Sequence, residues 1–323
     1  MATYKGIKGV KVQSLAEDPT AEDTVGKVWY NTAGNALKYS IQGAAAWAAG
    51  NAMNTPRFGA TGSGIQTAAF FAGGYQPAGS ILNEQYDGSS WSEKADLNTA
   101  RAEVANSGTV AAGITFGGDT PPANDYTETW DGTSWSAANL MTTGRAYLGR
   151  AGTQTAALAI GGYKGGPYKV ETELFNGTCW SETGDIATAT NTIMCGGTST
   201  SAFAAGGRAG PAVTNVSQTF NGTSWALTNN INTARRYGGG NSVPGSTVAL
   251  IYGGTPSPAI TESFDGTCWS EVGDLGTGRQ SLGGGGDNTA ALAFGGGTGA
   301  PDITGATEEW NDPVYSIKTV TVT

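Results

Sequence analysis

The chain has 323 residues, a formal net charge of −9 and no histidine. The acidic balance and the lack of a basic run argue against nucleic acid as the main partner, because phosphate binding needs clustered Lys and Arg. The absence of histidine excludes Ser-His-Asp and Cys-His catalysis and His-bound metals. We therefore expect no cofactor and no metal site. The sequence also has no run of 18 or more apolar residues, so it predicts no membrane span.

Residues 1–26 stand apart from the rest of the chain. Val10 and Val12 alternate with polar residues, which indicates a short strand. Residues 16–23 form an acidic stretch that a proline interrupts, as in a linker. Composition leaves two interpretations open, a disordered tail or an anchor to a larger assembly. We predict that residues 1–26 form an N-terminal attachment segment.

A repeat of 44 or 45 residues runs through the remaining sequence. It is marked by tryptophans in constant phase, namely Trp47, Trp91, Trp135, Trp180, Trp225 and Trp269. A fixed period in this range points to a propeller or a solenoid. Helix is disfavoured, because 52 residues are Gly and no apolar periodicity of 3.6 residues is present.

Each repeat contains four strand candidates. The first follows an Arg, the second is apolar and ends in Gly-Gly, the third carries an aromatic residue, and the fourth carries the phased Trp. An Asp-Gly or Asn-Gly pair, such as Asp131-Gly132, separates the third candidate from the fourth and predicts a tight antiparallel hairpin. Four short strands per repeat predict an all-β chain with a β-propeller over residues 27–323.

The two ends of the chain bear on the number of blades. Residues 27–52 resemble a partial blade, with Val28–Asn31 as its second strand, Leu37–Ser40 as its third and the segment around Trp47 as its fourth. Six full repeats follow, and residues 314–322 then alternate as one further strand. Joining both ends would close a seventh blade, which is the arrangement we favour. Six blades is the alternative, because the C-terminal strand can instead complete the sixth repeat.

An acidic residue stands two positions before the third-strand aromatic residue in five of the six full repeats. The fourth repeat has Gln218 there and Thr190 in place of the Arg, so both charges are lost together. Loss of one partner of a buried ion pair is costly, whereas replacement of both can be nearly neutral. We therefore predict structural Arg–Glu pairs, with a ligand-binding ring of arginines as the alternative. The residues are Arg57, Arg101, Arg145, Arg235, Arg279, Glu84, Glu128, Glu173, Glu262 and Glu308.

The loops between second and third strands share one face of a propeller, and here they differ most between repeats. The candidate ligand-binding residues in these loops are Tyr75, Tyr126, Tyr163, Tyr168 and Arg208. Their flat, hydrogen-bonding side chains suit a sugar or a protein, although each could equally belong to an ordinary solvated loop. We predict no catalytic residue. A glycosidase built from two scattered carboxylates stays open as a less favoured alternative.

The Gly-Gly, aromatic and Trp positions of the repeat resemble those of kelch and galactose-oxidase-like propellers, over roughly residues 28–323. More narrowly, Asn98-Thr99-Ala100-Arg101 and Asn232-Thr233-Ala234-Arg235 are similar to repeats of the kelch-like proteins of tailed, especially marine, bacteriophages. Without histidine, the copper chemistry of galactose oxidase does not carry over.

The resemblance implies a virion structural protein that is made in the cytoplasm of a bacterial host. We expect a tail fibre or tail-associated receptor-binding protein without enzymatic activity. Residues 1–26 would attach it to other virion proteins, with a homo-oligomer in the assembly, and one propeller face would meet a host surface glycan or protein. A capsid or neck decoration protein and a free carbohydrate-binding module are the alternatives.

Overall fold

A computed structural model describes residues 12–119, 124–242, 246–256, 258–299, 302–312 and 315–320. The predicted all-β class is confirmed, since strands dominate these residues and one short 3-10 helix, Glu22–Thr24, is present. None of the described helical segments has the length and apolar character needed to cross a membrane. The chain divides into two compact units, one of residues 46–311 and one that joins residues from both ends of the chain.

The larger unit contains six four-stranded antiparallel sheets, which we number 1 to 6 in chain order. Sheet 1 consists of Ser63–Ile65, Ala68–Ala72, Asn83–Tyr86 and Trp91–Lys94. Sheet 2 consists of Ala105–Gly108, Gly113–Phe116, Thr127–Trp130 and Trp135–Ala138. Sheet 3 consists of Gly149–Thr153, Ala156–Ile160, Thr172–Phe175 and Trp180–Glu182. Sheet 4 consists of Met194–Thr198, Ser201–Ala205, Ser217–Phe220 and Trp225–Leu227. Sheet 5 consists of Gly239–Gly240, Ala249–Tyr252, Thr261–Phe264 and Trp269–Glu271. Sheet 6 consists of Gly283–Gly286, Ala290–Phe294, Thr307–Asn311 and Ala46–Gly50. Two small hairpins, Arg208–Ala209 with Ala212–Val213 and Gly297–Gly299 with Asp302–Ile303, extend the loops of sheets 4 and 6.

The first three strands of each sheet are largely buried, and the fourth strand is the most exposed. Ala105–Gly108 and Gly283–Gly286 are buried at every position, whereas Trp180–Glu182 is buried only at its Trp. The first strands are rich in Gly because neighbouring backbones approach closely there. A Cβ on Gly196 would lie 1.7 Å from the carbonyl oxygen of Asn241 in the next sheet, so no side chain fits at this position.

The first strands also define the order of the sheets. Each one lies against the first strands of the preceding and following sheets, and that of sheet 6 lies against that of sheet 1. Backbone hydrogen bonds cross these boundaries, for example from Gly284 N to Thr61 O at 2.8 Å and from Ser242 N to Gly286 O at 2.8 Å. This arrangement is compatible with a β-propeller.

The phased tryptophans join neighbouring sheets. In five sheets, the indole Nε1 of the fourth-strand Trp donates to a hydroxyl on the third strand of the preceding sheet. For sheet 1 the preceding sheet is sheet 6, because Trp91 donates to Thr307. The bonds, 2.9–3.2 Å long, run from Trp47 to Thr261, Trp91 to Thr307, Trp180 to Thr127, Trp225 to Thr172 and Trp269 to Ser217. The constant phase of the Trp residues therefore reflects one repeated contact between sheets.

The strand at Trp47 does not pair as the seven-blade arrangement requires. Ala46–Gly50 pairs antiparallel with Thr307–Asn311 and places Trp47 opposite Trp310, so it completes sheet 6. Its indole makes the same bond to the preceding sheet as the other phased tryptophans. The C-terminal strand, Tyr315–Thr319, pairs with Ala36–Gln42 instead and so does not complete the sixth repeat. The predicted place of the Trp47 strand in a blade with Val28–Asn31 and Leu37–Ser40 was wrong, because periodicity alone does not reveal which edge a terminal strand occupies. The favoured grouping of the C-terminal strand with the N-terminal strands is present in the structure.

The smaller unit is a four-stranded sheet in the order Gln13–Leu15, Val28–Asn31, Ala36–Gln42 and Tyr315–Thr319. The first pair is parallel and the other two pairs are antiparallel. Residues 12–26 and 27–45 thus share one unit. A strand predicted around Val10 and Val12 begins at Gln13 in the structure, and Val10 lies outside the described residues.

Asp18, in the stretch predicted to be an acidic linker, is tied to this sheet. Its carboxylate accepts hydrogen bonds from Trp29 Nε1 at 3.1 Å and Asn31 Nδ2 at 2.6 Å, and forms a 2.5 Å ion pair with Lys38. The contacts with Lys38 and Asn31 lower the pKa of Asp18. This part of the N-terminal segment is therefore packed against the strands.

Each of the five arginines predicted to form an ion pair, which we call the framework arginines, contacts its predicted glutamate. Arg101, Arg145 and Arg279 lie 2.7, 2.7 and 2.9 Å from their glutamates, and Arg57–Glu84 and Arg235–Glu262 are also in contact. All five arginine side chains are fully buried. The second carboxylate oxygen accepts a backbone amide, as Glu173 does from Thr142 at 2.7 Å. In sheet 4, Gln218 accepts the equivalent amide at 2.8 Å without any charge. The geometry is that of a structural framework.

The predicted hairpins between third and fourth strands are present. Gly132 adopts φ 97°, a conformation that Gly reaches without steric cost. Asp131 Oδ1 accepts the amides of Thr133 and Ser134 at 2.8 Å each. These hydrogen bonds stabilise the charged carboxylate and lower the pKa of Asp131 to about 2. The side chain and the turn therefore stabilise each other.

Candidate functional site: a face of three variable positions

One surface of the larger unit is built from three positions in each sheet. The middle position follows the framework Arg (Thr190 in sheet 4), the inner position comes next, and the outer position follows the Gly-Gly. Middle and outer residues form a backbone bridge in every sheet: Phe58 with Tyr75, Ala102 with Asp119, Ala146 with Tyr163, Asn191 with Arg208, Arg236 with Thr255 and Gln280 with Gly297. The inner residues are Gly59, Glu103, Tyr147, Thr192, Tyr237 and Ser281. We call these eighteen residues the variable face.

The inner residues form a closed series of backbone hydrogen bonds. The amide of each of four residues donates to the inner carbonyl of the preceding sheet: Tyr147 to Glu103 at 3.2 Å, Thr192 to Tyr147 at 2.9 Å, Tyr237 to Thr192 at 3.1 Å and Ser281 to Tyr237 at 2.7 Å. Gly59 N donates to Ser281 O at 3.0 Å, and Val104 N donates to Gly59 O at 3.3 Å, which closes the series. The backbone at this site is therefore positioned by all six sheets.

This ring holds its residues in a sparsely populated conformation. Glu103, Tyr147, Thr192, Tyr237 and Ser281 have φ between 50° and 61°. Residues other than Gly rarely adopt such angles, and each instance costs on the order of 1–3 kcal/mol. The hydrogen-bonded ring stabilises the strained backbone, so the side chains can differ from sheet to sheet without altering it.

The inner position carries one acid and two phenols. The rings of Tyr147 and Tyr237 meet edge to face, with centroids 6.3 Å apart. Desolvation, with a smaller contribution from Asp119, raises the pKa of the half-buried Glu103 carboxyl to about 8. Burial and the nearby Glu103 charge raise the pKa of Tyr147. Among the described residues, no hydrogen-bond donor or cation contacts the Glu103 carboxyl group, so it is free to hydrogen-bond with a ligand.

The structure places the predicted ligand-binding residues in three locations. Tyr163, Tyr168 and Arg208 lie together, because the two phenol rings are 5.8 Å apart and the guanidinium lies 6.0 Å above the ring of Tyr168. Tyr75 packs on Phe58 at 5.2 Å. Tyr126 is exposed and joins neither group in the described part of the chain. Three of the five residues (Tyr75, Tyr163 and Arg208) occupy the outer position of the variable face.

Two clefts flank the Phe58–Tyr75 pair. One, of about 350 Å³, is bounded by Gln280, Ser281 and Ile303. The other, of about 580 Å³, is bounded by Glu103, Asp119 and Tyr147. Both volumes fall within the range of small-ligand sites, roughly 300–1,000 Å³. The aromatic pair therefore separates two places where a ligand can contact the face.

Charge is distributed unevenly over the face. Sheet 2 contributes two acids, Glu103 and Asp119, whereas sheets 4 and 5 contribute the cations Arg208 and Arg236. Arg236 lies 5.0 Å from the ring of Tyr237. A ligand on this face meets two carboxyl groups on one side and two arginine donors on the other, with tyrosines between them.

Sequence reasoning identified the outer position and missed the other two. A signal for the inner position exists within the sequence. The second residue after the framework position is Gly59, Glu103, Tyr147, Thr192, Tyr237 or Ser281, whereas the Arg and the Gly-Gly are nearly constant. Aligning the repeats and marking the positions that vary would have located it.

The described ranges contain no group of three or more Cys, Asp or Glu side chains placed to hold a metal ion. Of the three cysteines, Cys179 and Cys268 are exposed and Cys195 is buried, and none of them forms a disulfide. The arrangement can bind a ligand through stacking and hydrogen bonds. Comparison with known protein families finds no family model that matches this chain, and no curated protein matches its sequence.

Proposed function

We propose that residues 46–311 form a six-bladed, kelch-like β-propeller and that its variable face is a non-enzymatic binding site. Three features support six blades: the order of the first strands, the Trp contact from sheet 1 to sheet 6, and the closed series of inner hydrogen bonds. Closure of this kind stabilises a propeller, because it leaves few unpaired strand edges.

The binding proposal rests on one contrast: the structural contacts repeat from sheet to sheet, whereas the side chains of the variable face do not. The ion pairs, the hairpins and the Trp contacts recur from sheet to sheet, whereas the three face positions differ. Varied side chains on a rigid repeated scaffold are typical of recognition surfaces. Tyrosine rings and a mixture of acids and arginines suit a glycan, which offers apolar sugar faces and many hydroxyls. A protein of the host surface is the second ligand class that this chemistry accommodates.

The terminal sheet is proposed to attach the protein to other virion proteins. The smaller unit, which contains this sheet, carries half of the exposed large apolar side chains of the described chain, namely Val12, Val25, Val28, Tyr30, Ile41 and Val320. Among the described residues, its edge strands, Gln13–Leu15 and Tyr315–Thr319, each pair on one side only. Exposed apolar residues and open edges mark surfaces that associate with other chains.

Together with the resemblance to kelch-like phage proteins, these features favour a tail fibre or tail-associated receptor-binding protein that acts as a homo-oligomer in the virion. A capsid or neck decoration protein would use the same attachment. A free carbohydrate-binding module would not need it. The oligomeric state therefore separates the last alternative from the others.

Binding is tested by applying the full chain to an array of bacterial surface polysaccharides and measuring the dissociation constant of any glycan retained. We expect Tyr75→Ala and Tyr163→Ala each to weaken binding at least about tenfold. Leu227→Ser, at an exposed fourth-strand position outside the face, is the matched control. Equal affinity of all variants would refute the assignment of the face. Release of shorter sugars from a bound glycan would show an enzyme instead.

Attachment is tested by native mass spectrometry of the full chain and of Val28→Lys, which places a charge among the exposed apolar residues of the terminal sheet. We expect an oligomer for the parent and a smaller species for the variant. A monomeric parent that still binds a glycan would favour the free carbohydrate-binding module.

A further inference from the structure

One long cationic side chain stands among the first strands where every other sheet has a smaller residue. Arg150, five residues after the framework Arg of sheet 3, is only 3% exposed. The corresponding residues of the other five sheets are Gly62, Asn106, Cys195, Gly240 and Gly284. The side chain of Arg150 therefore occupies space that the small residues leave between the first strands.

Arg150 reaches sheets that do not adjoin its own. Its Nη2 donates to the carbonyl oxygen of Gly284 in sheet 6 at 2.9 Å and, more weakly, to that of Gly240 in sheet 5 at 3.5 Å. Neither glycine could carry a side chain, because an added Cβ would lie 2.2 Å from Tyr252 Oη or 2.7 Å from Cys195 O. The guanidinium is thus held in a position surrounded by the first strands.

The charge of Arg150 has no counter-charge in the described part of the chain. Each framework arginine faces a glutamate, whereas the groups that act on Arg150 electrostatically are Tyr252 and Cys195. Both of its hydrogen bonds use Nη2, so Nε and Nη1 donate to no described residue. An isolated charge in a protein interior is strongly unfavourable unless it is paired or neutralised. Burial lowers the pKa of Arg150, but a guanidinium keeps its proton at any ordinary pH.

A small cavity lies beside this guanidinium. Its volume is about 20 Å³, and Thr61, Arg150, Ile193, Cys195 and Leu282 line it together with Gly238, Gly239 and Gly240. A cavity of this size holds one water-sized particle. Burial raises the pKa of the Cys195 thiol, so this group stays neutral and adds no negative charge.

We propose that this cavity binds one small monovalent anion, of which chloride is the physiological example, and that Arg150 is its principal ligand. The ion supplies the counter-charge that the chain lacks at this position. It would hold the guanidinium in the position from which Arg150 links the first strand of sheet 3 to those of sheets 5 and 6. The site adjoins the inner positions of the variable face, because Ile193, Gly238 and Leu282 line the cavity and each directly follows an inner residue in the chain.

The first test is the melting temperature of the full chain at constant ionic strength, with sodium gluconate exchanged for sodium chloride. For a site that is half-saturated near 10 mM, we expect a rise of about 2–3 °C by 150 mM chloride. Arg150→Met should abolish this rise, and Arg208→Met, which removes an arginine of the variable face, should retain it. A chloride effect of equal size in the Arg150 variant, or none in the parent, would overturn the proposal.

The second test does not require the variant to fold. Crystals of the unmodified protein grown in sodium bromide should show an anomalous peak in the cavity, within hydrogen-bonding distance of Arg150 Nε or Nη1. A crystal with ordered bromide on the protein surface and only water density beside Arg150 would refute the anion site. An empty cavity would refute it as well.

Discussion

The framework ion pairs allow a quantitative test, because sheet 4 is a natural neutral version of the same site. Arg145 is fully buried and donates to Glu173 Oε1 at 2.7 Å, to Gly161 O at 2.8 Å and to Glu171 O at 2.6 Å. Arg145→Thr leaves the Glu173 charge buried and unpaired, which should cost about 3–5 kcal/mol. Glu173→Gln should cost about 3 kcal/mol or more by leaving the guanidinium unpaired.

The double variant, Arg145→Thr with Glu173→Gln, reproduces in sheet 3 the combination of Thr190 and Gln218 that sheet 4 has naturally. The introduced Gln can still accept the amide of Thr142, as Gln218 accepts that of Ala187. The carbonyl oxygens of Gly161 and Glu171 lose their hydrogen bonds from the guanidinium, but Glu171 O still accepts the amide of Gly161 at 3.1 Å. We therefore expect the double variant to cost only about 1–2 kcal/mol. The coupling energy between the two positions would then be at least about 4 kcal/mol.

The measurement is the free energy of unfolding in urea, followed by tryptophan fluorescence, for the parent and the three variants. Melting temperatures should fall by about 4–8 °C for Arg145→Thr and by about 1–3 °C for the double variant. Thr190→Ala, at the position where sheet 4 lacks the pair, is the control and should have a small effect. Single variants that cost less than about 1 kcal/mol, or a double variant as costly as their sum, would refute the reasoning.

Two further predictions concern particular residues. In sheet 1, Asn83 stands where the other sheets have Thr or Ser, and its Oδ1 and the Nε1 of Trp135 are both buried without a hydrogen-bond partner. Asn83→Thr should restore the repeated Trp contact and stabilise the protein by about 1 kcal/mol in calorimetry, whereas the reverse change, Thr127→Asn, should destabilise it. Glu103 has a pKa of about 8, above its ordinary 4.5, so its charged form is disfavoured in the folded protein. The stability that this group contributes is full below about pH 4.5 and is lost as pH rises through 8. Glu103→Gln should therefore raise the melting temperature at pH 9 and leave it unchanged at pH 4, with the exposed Glu182→Gln as control. A gain that does not change with pH would contradict this explanation.

Local chemistry explains the features that were predictable from the sequence. The hairpin at Asp131-Gly132 depends on a positive φ and on a side chain that accepts two neighbouring amides, and both are properties of the dipeptide itself. The Arg–Glu pairs could be inferred because the fourth repeat loses both charges at once. The loops with Tyr75, Tyr163 and Arg208 could be selected because they vary between repeats. In each case the evidence lies within one repeat or in a comparison between repeats.

The all-β class, the four strands per repeat and the Arg–Glu pairs follow from the amino-acid sequence, because each repeat encodes its own turns, strands and buried charges. The pairing of the terminal strands depends on the folded chain, since Ala46–Gly50 can satisfy its backbone on any open edge and its partner lies more than 250 residues away. The folded chain also decides which side chains meet on the variable face and beside Arg150. Those contacts join residues from different sheets, and no local pattern specifies them, because they arise where all six sheets converge.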